Sequence, residues 1–188
     1  VERHKFVDEA LWSRAYENRS LSIGHRQTIS QPYIVARMTE LLIQRFAGRG
    51  LVMKNVLEIG SGCGYQSAVL AQLSENVLGL ERIKPLVRKS RINLLELRIS
   101  NVKIKHADGF QAANELEQCF DGILCASAPR DIPTELIPLL KKDANLVIPV
   151  GSSNQTLTVL TKKSKQNYIT EEYDKVSFVP MLGGKTNH

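Results

Sequence analysis

Val56-Leu57-Glu58-Ile59-Gly60-Ser61-Gly62-Cys63-Gly64-Tyr65 is the stretch that decides the fold. An apolar run ends in Glu58 and Ile59, three glycines alternate, and a helical pattern begins at Tyr65. That is a strand, a tight turn and a helix start, the arrangement from which an α/β chain builds a nucleotide cradle. Glycine suits such a turn because it takes positive φ at little steric cost and lets a ligand touch the backbone.

The glycine spacing separates two ligand classes. A dinucleotide fingerprint beginning at Gly60 needs glycine at position 65, where this chain has Tyr65, with Gly64 one place earlier. A pyrophosphate needs the close approach of a helix N-terminus. S-adenosylmethionine has no phosphate, so its turn can differ, and Glu58 before the first glycine suits a cationic ligand. The competing reading is a strand-to-helix turn that binds nothing, and three alternating glycines weigh against it. Next, Asn76-Val77-Leu78-Gly79-Leu80-Glu81 reads as a second strand ending in a carboxylate able to accept both ribose hydroxyls. Without the glycine turn, Glu81 would read as a solvated acid paired with Arg82 or Lys84.

Working outward, alternating strands and helices continue. Strands are expected at Val56–Ile59, Val77–Glu81, Val102–His106, Phe120–Cys125 and Asn145–Val150, and helices at Tyr65–Leu73, Pro85–Leu97, Phe110–Leu116 and Pro133–Leu140. Repeated β-α-β units predict an α/β, Rossmann-like fold with a mostly parallel sheet and helices on both faces. Thr156–Thr161 and Tyr168–Val179 read as an antiparallel pair added at one edge. Upstream, Phe6 to about Arg19 has helical spacing, and Leu21 to Ile29 reads as a loop. Ser30-Gln31-Pro32 reads as a helix start, with Ser30 as cap and proline in the first turn. Ile34, Val35, Met38, Leu41, Leu42 and Phe46 line one helix face, which Gly48 and Gly50 end.

The 188 residues, 43% hydrophobic and 23% charged, predict one domain: an N-terminal substrate or lid region over 1–50 and a ligand-binding core over 51–188. No apolar run reaches the roughly 20 residues of a membrane span, and Val1-Glu2-Arg3-His4-Lys5 shows no signal peptide. Three cysteines without C-x-x-C spacing point to a reduced, cytoplasmic setting, and with four scattered histidines they form no metal constellation. The net charge of +6 raises a nucleic-acid partner. The lysines and arginines are dispersed and lack interleaved aromatics, so a solvated basic face is the better reading.

Two further segments fall at strand ends, where open parallel sheets bind ligands. Asp108-Gly109 follows the third strand. An aspartate there can accept from an adenine amino group, cap the next helix, or both. Ala126-Ser127-Ala128-Pro129 follows the fourth, a plain turn or a substrate-contacting segment. It lacks the Asn/Asp-Pro-Pro-aromatic motif of base N-methylation.

The chain resembles the bacterial protein-L-isoaspartate (D-aspartate) O-methyltransferases nearly end to end. The matching segments include Phe6-Val7-Asp8-Glu9-Ala10, Gln27-Thr28-Ile29-Ser30-Gln31-Pro32-Tyr33, the glycine turn with Tyr65-Gln66, Glu81-Arg82-Ile83, Asp108-Gly109, Pro149-Val150-Gly151 and Phe178-Val179-Pro180. The Thr-Ile-Ser-Gln-Pro segment is specific to that family, whereas the glycine turn is shared by many methyltransferases. Three departures stand out: the chain begins just after a helix that members usually carry, His25-Arg26 replaces a commoner glycine-containing turn, and Cys63 and Cys125-Ala126-Ser127 differ from the commoner Ser and Thr-Ala-Ala.

The resemblance implies methyl transfer from S-adenosyl-L-methionine, leaving S-adenosyl-L-homocysteine, to the free α-carboxylate of isoaspartyl residues in damaged proteins and peptides. It implies Ser30 as the catalytic residue that orients the carboxylate, with Thr28 and Ile29 completing the substrate pocket. Glu58, Gly60, Ser61, Gly62, Gly64, Glu81, Asp108 and Gly109 would bind the cofactor. No metal, nucleic acid or membrane is expected, and the chain would act as a monomer. Two alternatives remain at this level: a methyltransferase for RNA or a small molecule, and a binder without turnover.

Overall fold

The computed structural model describes residues 1–46, 52–117, 119–165 and 167–187. Nine strands are described: β1 (Leu21–Gly24), β2 (Gln27–Ile29), β3 (Met53–Ile59), β4 (Ser74–Glu81), β5 (Val102–His106), β6 (Phe120–Cys125), β7 (Leu140–Val150), β8 (Gln155–Lys162) and β9 (Tyr168–Val176). The α-helices are α1 (Pro32–Ile43), α2 (Tyr65–Leu70), α3 (Lys84–Glu96) and α4 (Ala112–Glu115). β1 and β2 form a separate hairpin, and the other seven strands form one sheet in the order β5-β4-β3-β6-β7-β8-β9. β3 to β7 run parallel, while β8 and β9 add antiparallel to the β7 edge as expected.

The order reverses at β3, whose neighbours are β4 and β6. Such a switch point opens a crevice beyond the carboxyl ends of the strands. Period-two alternation splits the sheet's apolar residues between two layers. Val56, Val77, Leu124 and Val147 pack with Met38, Leu41 and Leu42 of α1. Leu57, Ile59, Ile123 and Leu146 pack on the opposite side with Ala112 and Leu136. A third cluster joins the hairpin to the turn and α3 through Ile23, Ile29, Cys63, Leu86, Val87 and Leu94.

Several elements differ from expectation, each for a local reason. Phe6 to Arg19 is no continuous helix; 3₁₀ turns span Arg3–Phe6 and Glu9–Arg14. The segment wraps around buried Arg3, whose Nε donates to Ala15 O at 2.7 Å and whose Nη2 donates to Arg19 O at 3.4 Å. Leu21 to Ile29 is a hairpin and not a loop. The expected helix Pro133–Leu140 shrinks to one 3₁₀ turn at Thr134–Leu136. Pro138 lacks the donor that continued helix needs, and β7 takes over from Leu140. Helix Tyr65–Leu73 stops at Leu70, and Phe110–Leu116 divides into a 3₁₀ turn at Gly109–Gln111 followed by α4. Gly48 and Gly50, and the expected boundary between 50 and 51, lie outside the described residues.

Ser30 does not cap α1. The N-cap is Gln31, without a side-chain cap bond. The helix end is met from fifteen residues away, where Asn18 Oδ1 accepts from Tyr33 N at 3.1 Å. Asn18→Ala is therefore expected to lower stability by about 0.5–1 kcal/mol. Ser30→Ala should change it by less than about 0.5 kcal/mol. Urea unfolding of both variants measures this directly, and a larger loss from Ser30→Ala would return the capping role to Ser30.

Candidate active site

A pocket opens at the β3/β4/β6 carboxyl edge and encloses about 970 Å³ of space not filled by atoms, part of it open to solvent. Its floor is the glycine turn. Gly60 sits at φ +82°, and its N–H and that of Ser61 donate to Leu80 O at 2.8 and 3.2 Å, which pins the turn to β4. Gly62, at φ +53°, donates its N–H to Glu81 Oε2 at 2.8 Å.

Glu81 is bound at both ends, because Ile83 N donates to its Oε1 at 2.8 Å. Burial pushes its pKa up while these backbone N–H groups pull it down. Each oxygen keeps a second lone pair for another donor. Glu58 is fully buried on the same wall. Ser67 Oγ donates to its Oε2, but Oε1 has no partner among the described residues. Burial raises its pKa to about 7, with Glu81 adding like-charge repulsion and Ser67 opposing the shift. An orphaned carboxylate oxygen beside a second acid is an environment that a cationic ligand would neutralise.

Gln27, Thr28, Ile29 and Ser30 also line the pocket, so all three expected substrate residues share it with Glu58, Gly60, Ser61, Gly62 and Glu81. Gly109 also lines it. Its closeness to Ile59 Cγ2 and Met181 Cε leaves no room for a Cβ there.

Gly64 and Asp108 are not among the lining residues, although Ala107 and Gly109 on either side of Asp108 are. Gly64 lies off the pocket wall, at φ +89° as the N-cap of α2, and a Cβ there would sit 3.2 Å from Ser90 Cβ. Its role here is to let α2 approach α3. The Asp108 carboxylate caps Phe110 N at 2.9 Å through Oδ1 and accepts from Gly184 N at 2.6 Å through Oδ2. The capping alternative therefore holds, and both oxygens already have backbone donors.

The wall also draws on residues far from the glycine turn in sequence. Val179, Pro180, Met181 and Leu182 come from the C-terminal tail, anchored where Met181 N donates to Ala128 O at 2.8 Å. Ala126 and Ser127 also line the pocket, favouring the contact reading of that segment over a plain turn. Gln66 lines it too, with its Nε2 donating to Thr39 Oγ1 at 3.0 Å. Thr39 in turn donates to Val35 O at 2.7 Å. The glycine turn signals only residues near it in sequence, so a tail more than a hundred positions away carried no comparable mark.

Glu58 makes the ligand-free protein pH-sensitive. Its folded pKa near 7 lies above the ordinary 4.5, so its stability contribution is present below about pH 4.5 and lost as pH rises through 7. Glu81, shifted in the same direction, adds to the trend. Glu58→Gln should flatten the fall in urea midpoint between pH 5 and pH 8 and make the variant more stable than the parent at pH 8. An unchanged pH dependence would mean that Glu58 is ionised in the folded state throughout.

Comparisons with known proteins converge. The family model for protein-L-isoaspartate(D-aspartate) O-methyltransferase matches residues 1–186. The protein-L-isoaspartate O-methyltransferase of Methylobacillus flagellatus is 51% identical over 187 residues, covering 98% of this chain and 81% of its own. That of Saccharophagus degradans is 50% identical over 185 residues, with the same coverage. A Plasmodium falciparum structure described as a protein-L-isoaspartate O-methyltransferase in complex with S-adenosyl-L-homocysteine superposes with a TM-score of 0.80. It is 29% identical and covers 96% of this chain and 85% of that one. With the family model spanning nearly every residue and half the positions shared with bacterial relatives, this chain belongs to the protein-L-isoaspartate(D-aspartate) O-methyltransferase family.

Proposed function

We propose that the chain is a protein repair methyltransferase that moves a methyl group from S-adenosyl-L-methionine to the free α-carboxylate of L-isoaspartyl, and D-aspartyl, residues in damaged proteins and peptides. One observation carries the site-level reading. Thr28, Ile29 and Ser30 line the same pocket as the glycine turn, Glu58 and Glu81.

The pocket suits the cosubstrate. The spare lone pairs of Glu81 match ribose hydroxyls, and the orphaned Oε1 of Glu58 favours a positive charge nearby. S-adenosyl-L-methionine supplies an electrophilic methyl group on a sulfonium. The substrate carboxylate, with an ordinary pKa of about 3–4, is ionised at neutral pH and needs no general base. That accounts for a wall with no histidine. What remains for the chain is alignment and exclusion of water. Ser30 Oγ–H donates to the carboxylate and holds it in line, while Thr28 and buried Ile29 close the wall around it. The apolar side chains of Ile23, Val35 and Met38 keep the pocket poorly solvated, which favours a step in which opposite charges cancel.

The same reading has residues 1–50 face the substrate and 51–188 hold the cosubstrate, in a monomer working in the cytoplasm. Three unpaired cysteines fit a reducing compartment. Among the described residues no helix is long and apolar enough to cross a membrane.

Methyl transfer from labelled cosubstrate to matched isoaspartyl peptide, aspartyl peptide and RNA tests the activity. The isoaspartyl peptide alone should be labelled, since its extra backbone methylene carries the α-carboxylate where a normal aspartate cannot present it. Equal labelling of both peptides, or labelling confined to RNA, overturns the reading.

Two variants test the residue roles. Glu81→Ala should weaken S-adenosyl-L-homocysteine binding by about tenfold to a hundredfold, read by calorimetry. Ser30→Ala should retain that binding and lose about tenfold to a hundredfold in turnover, as expected for a lost hydrogen bond to a charged group. Ser30→Asp should be at least as impaired, because it sets a like charge beside the substrate. Near-normal turnover by Ser30→Asp would remove Ser30 from the mechanism.

A further inference from the structure

The β1–β2 hairpin ends in a two-residue loop, His25-Arg26, between paired Gly24 and Gln27. Both loop residues are left-handed, at φ +52° and +57°. This is the pattern of a type I′ turn, where asparagine or aspartate followed by glycine is strongly preferred. Histidine is tolerated in that region, but a long unbranched side chain such as arginine is uncommon there. Arg26 therefore occupies a position where glycine would give the same hairpin with less strain. Such an outlier points to a use for its side chain.

The surroundings indicate the use. Ile23 on one side of the loop and Gln27, Thr28, Ile29 and Ser30 on the other all line the pocket, so the loop stands at the rim of the substrate wall. Arg26 is exposed, with no hydrogen bond or ion pair to its guanidinium among the described residues. The adjacent basic group is committed elsewhere: Lys89 Nζ donates to Asp8 Oδ1 at 2.8 Å and lies 3.5 Å from Ile23 O. Gln27 Nε2 donates to His25 O at 3.3 Å, which ties the loop backbone to the wall. The loop thus presents an uncommitted, exposed guanidinium on a braced turn. It is separate from that of Arg82 on the pocket wall, whose buried Nε is also without a partner among the described residues. A guanidinium pairs well with a carboxylate.

We infer that Arg26 is a specificity-determining residue that selects isoaspartyl substrates carrying an acidic side chain within two residues of the damaged site. The inference rests on the activity proposed above. The nucleophilic carboxylate belongs to Ser30 deeper in the pocket. Arg26 reads a second, flanking carboxylate outside it, and so affects substrate capture more than the chemical step.

The test uses matched isoaspartyl peptides that differ only in a flanking Glu, Gln or Lys. The parent enzyme should prefer Glu over Gln in kcat/KM by about threefold to fivefold, the range of an exposed ion pair. Lys should be disfavoured, and the preference should fade in 0.5 M salt. The double change His25→Asn plus Arg26→Gly keeps the hairpin, with better turn chemistry, and removes the charge. It should equalise the three peptides while leaving the rate on the Gln peptide and the melting temperature unchanged or higher. Arg26→Lys should retain part of the preference. A parent enzyme indifferent to the flank, or a double variant that keeps the parent's preference, overturns the inference. Failure to methylate any of the peptides would instead overturn the proposed activity.

Discussion

The site depends on one carboxylate bound from two loops. Glu81 ends β4, yet its two oxygens take N–H groups from Gly62, on the turn after β3, and from Ile83, at the start of α3. This locks the mutual position of two loops that the parallel pairing of β3 and β4 only brings near each other. Burying a carboxylate is costly unless it is hydrogen-bonded. Here the bonds that offset that cost also set the shape of the pocket floor. Gly62 is left-handed where its N–H meets Glu81, so the glycine pattern and the acid act together in one turn.

Glu58 adds a second acid to the same floor, and the two are not equivalent. Glu81 has backbone donors at both oxygens, whereas Glu58 has one donor and one orphaned oxygen. A group in that condition stabilises neither charge state well, and its pKa near 7 expresses the compromise. A positive ligand beside Glu58 would favour its ionised form and offset part of the cost of burying it. Ligand binding and folding stability are then linked through the same residue.

What the sequence made legible was whatever lies close together along the chain. The β3 strand, the glycine turn and the acid closing β4 could be read because turn chemistry is local. The alternation of strands and helices gave the parallel sheet for the same reason. Asn18 could not be found, because nothing in Tyr16-Glu17-Asn18 marks it as the cap of a helix fifteen residues on. Ser30, a good cap by type, stands one place too early, and Gln31 takes the N-cap position without using its side chain. The Pro133–Leu140 helix was over-read. Its apolar spacing is helical, but Pro138 outweighs periodicity over so short a span. The capping role of Asp108 is legible from its place before Phe110, whereas its second partner, Gly184, lies in a tail without any motif.

The C-terminal tail shares the pocket lining with the N-terminal hairpin and the glycine turn. From Val179 it crosses the carboxyl edge of the sheet. It bonds to Ala128 after β6, to Asp108 after β5, and to Arg82 after β4 through Thr186 N at 2.8 Å. His106 Nε2 meets both Arg82 O and Thr186 O, at 3.0 and 3.2 Å. The tail therefore forms one wall of the pocket and the N-terminal hairpin another, with the glycine turn between them. Neither wall has a core of its own: Ile23 packs on the turn, and Met181 packs against Cys125 and Gly109. A pocket assembled this way needs both ends of the described chain docked on the sheet before it exists. The space is then enclosed by segments that the sheet alone holds together.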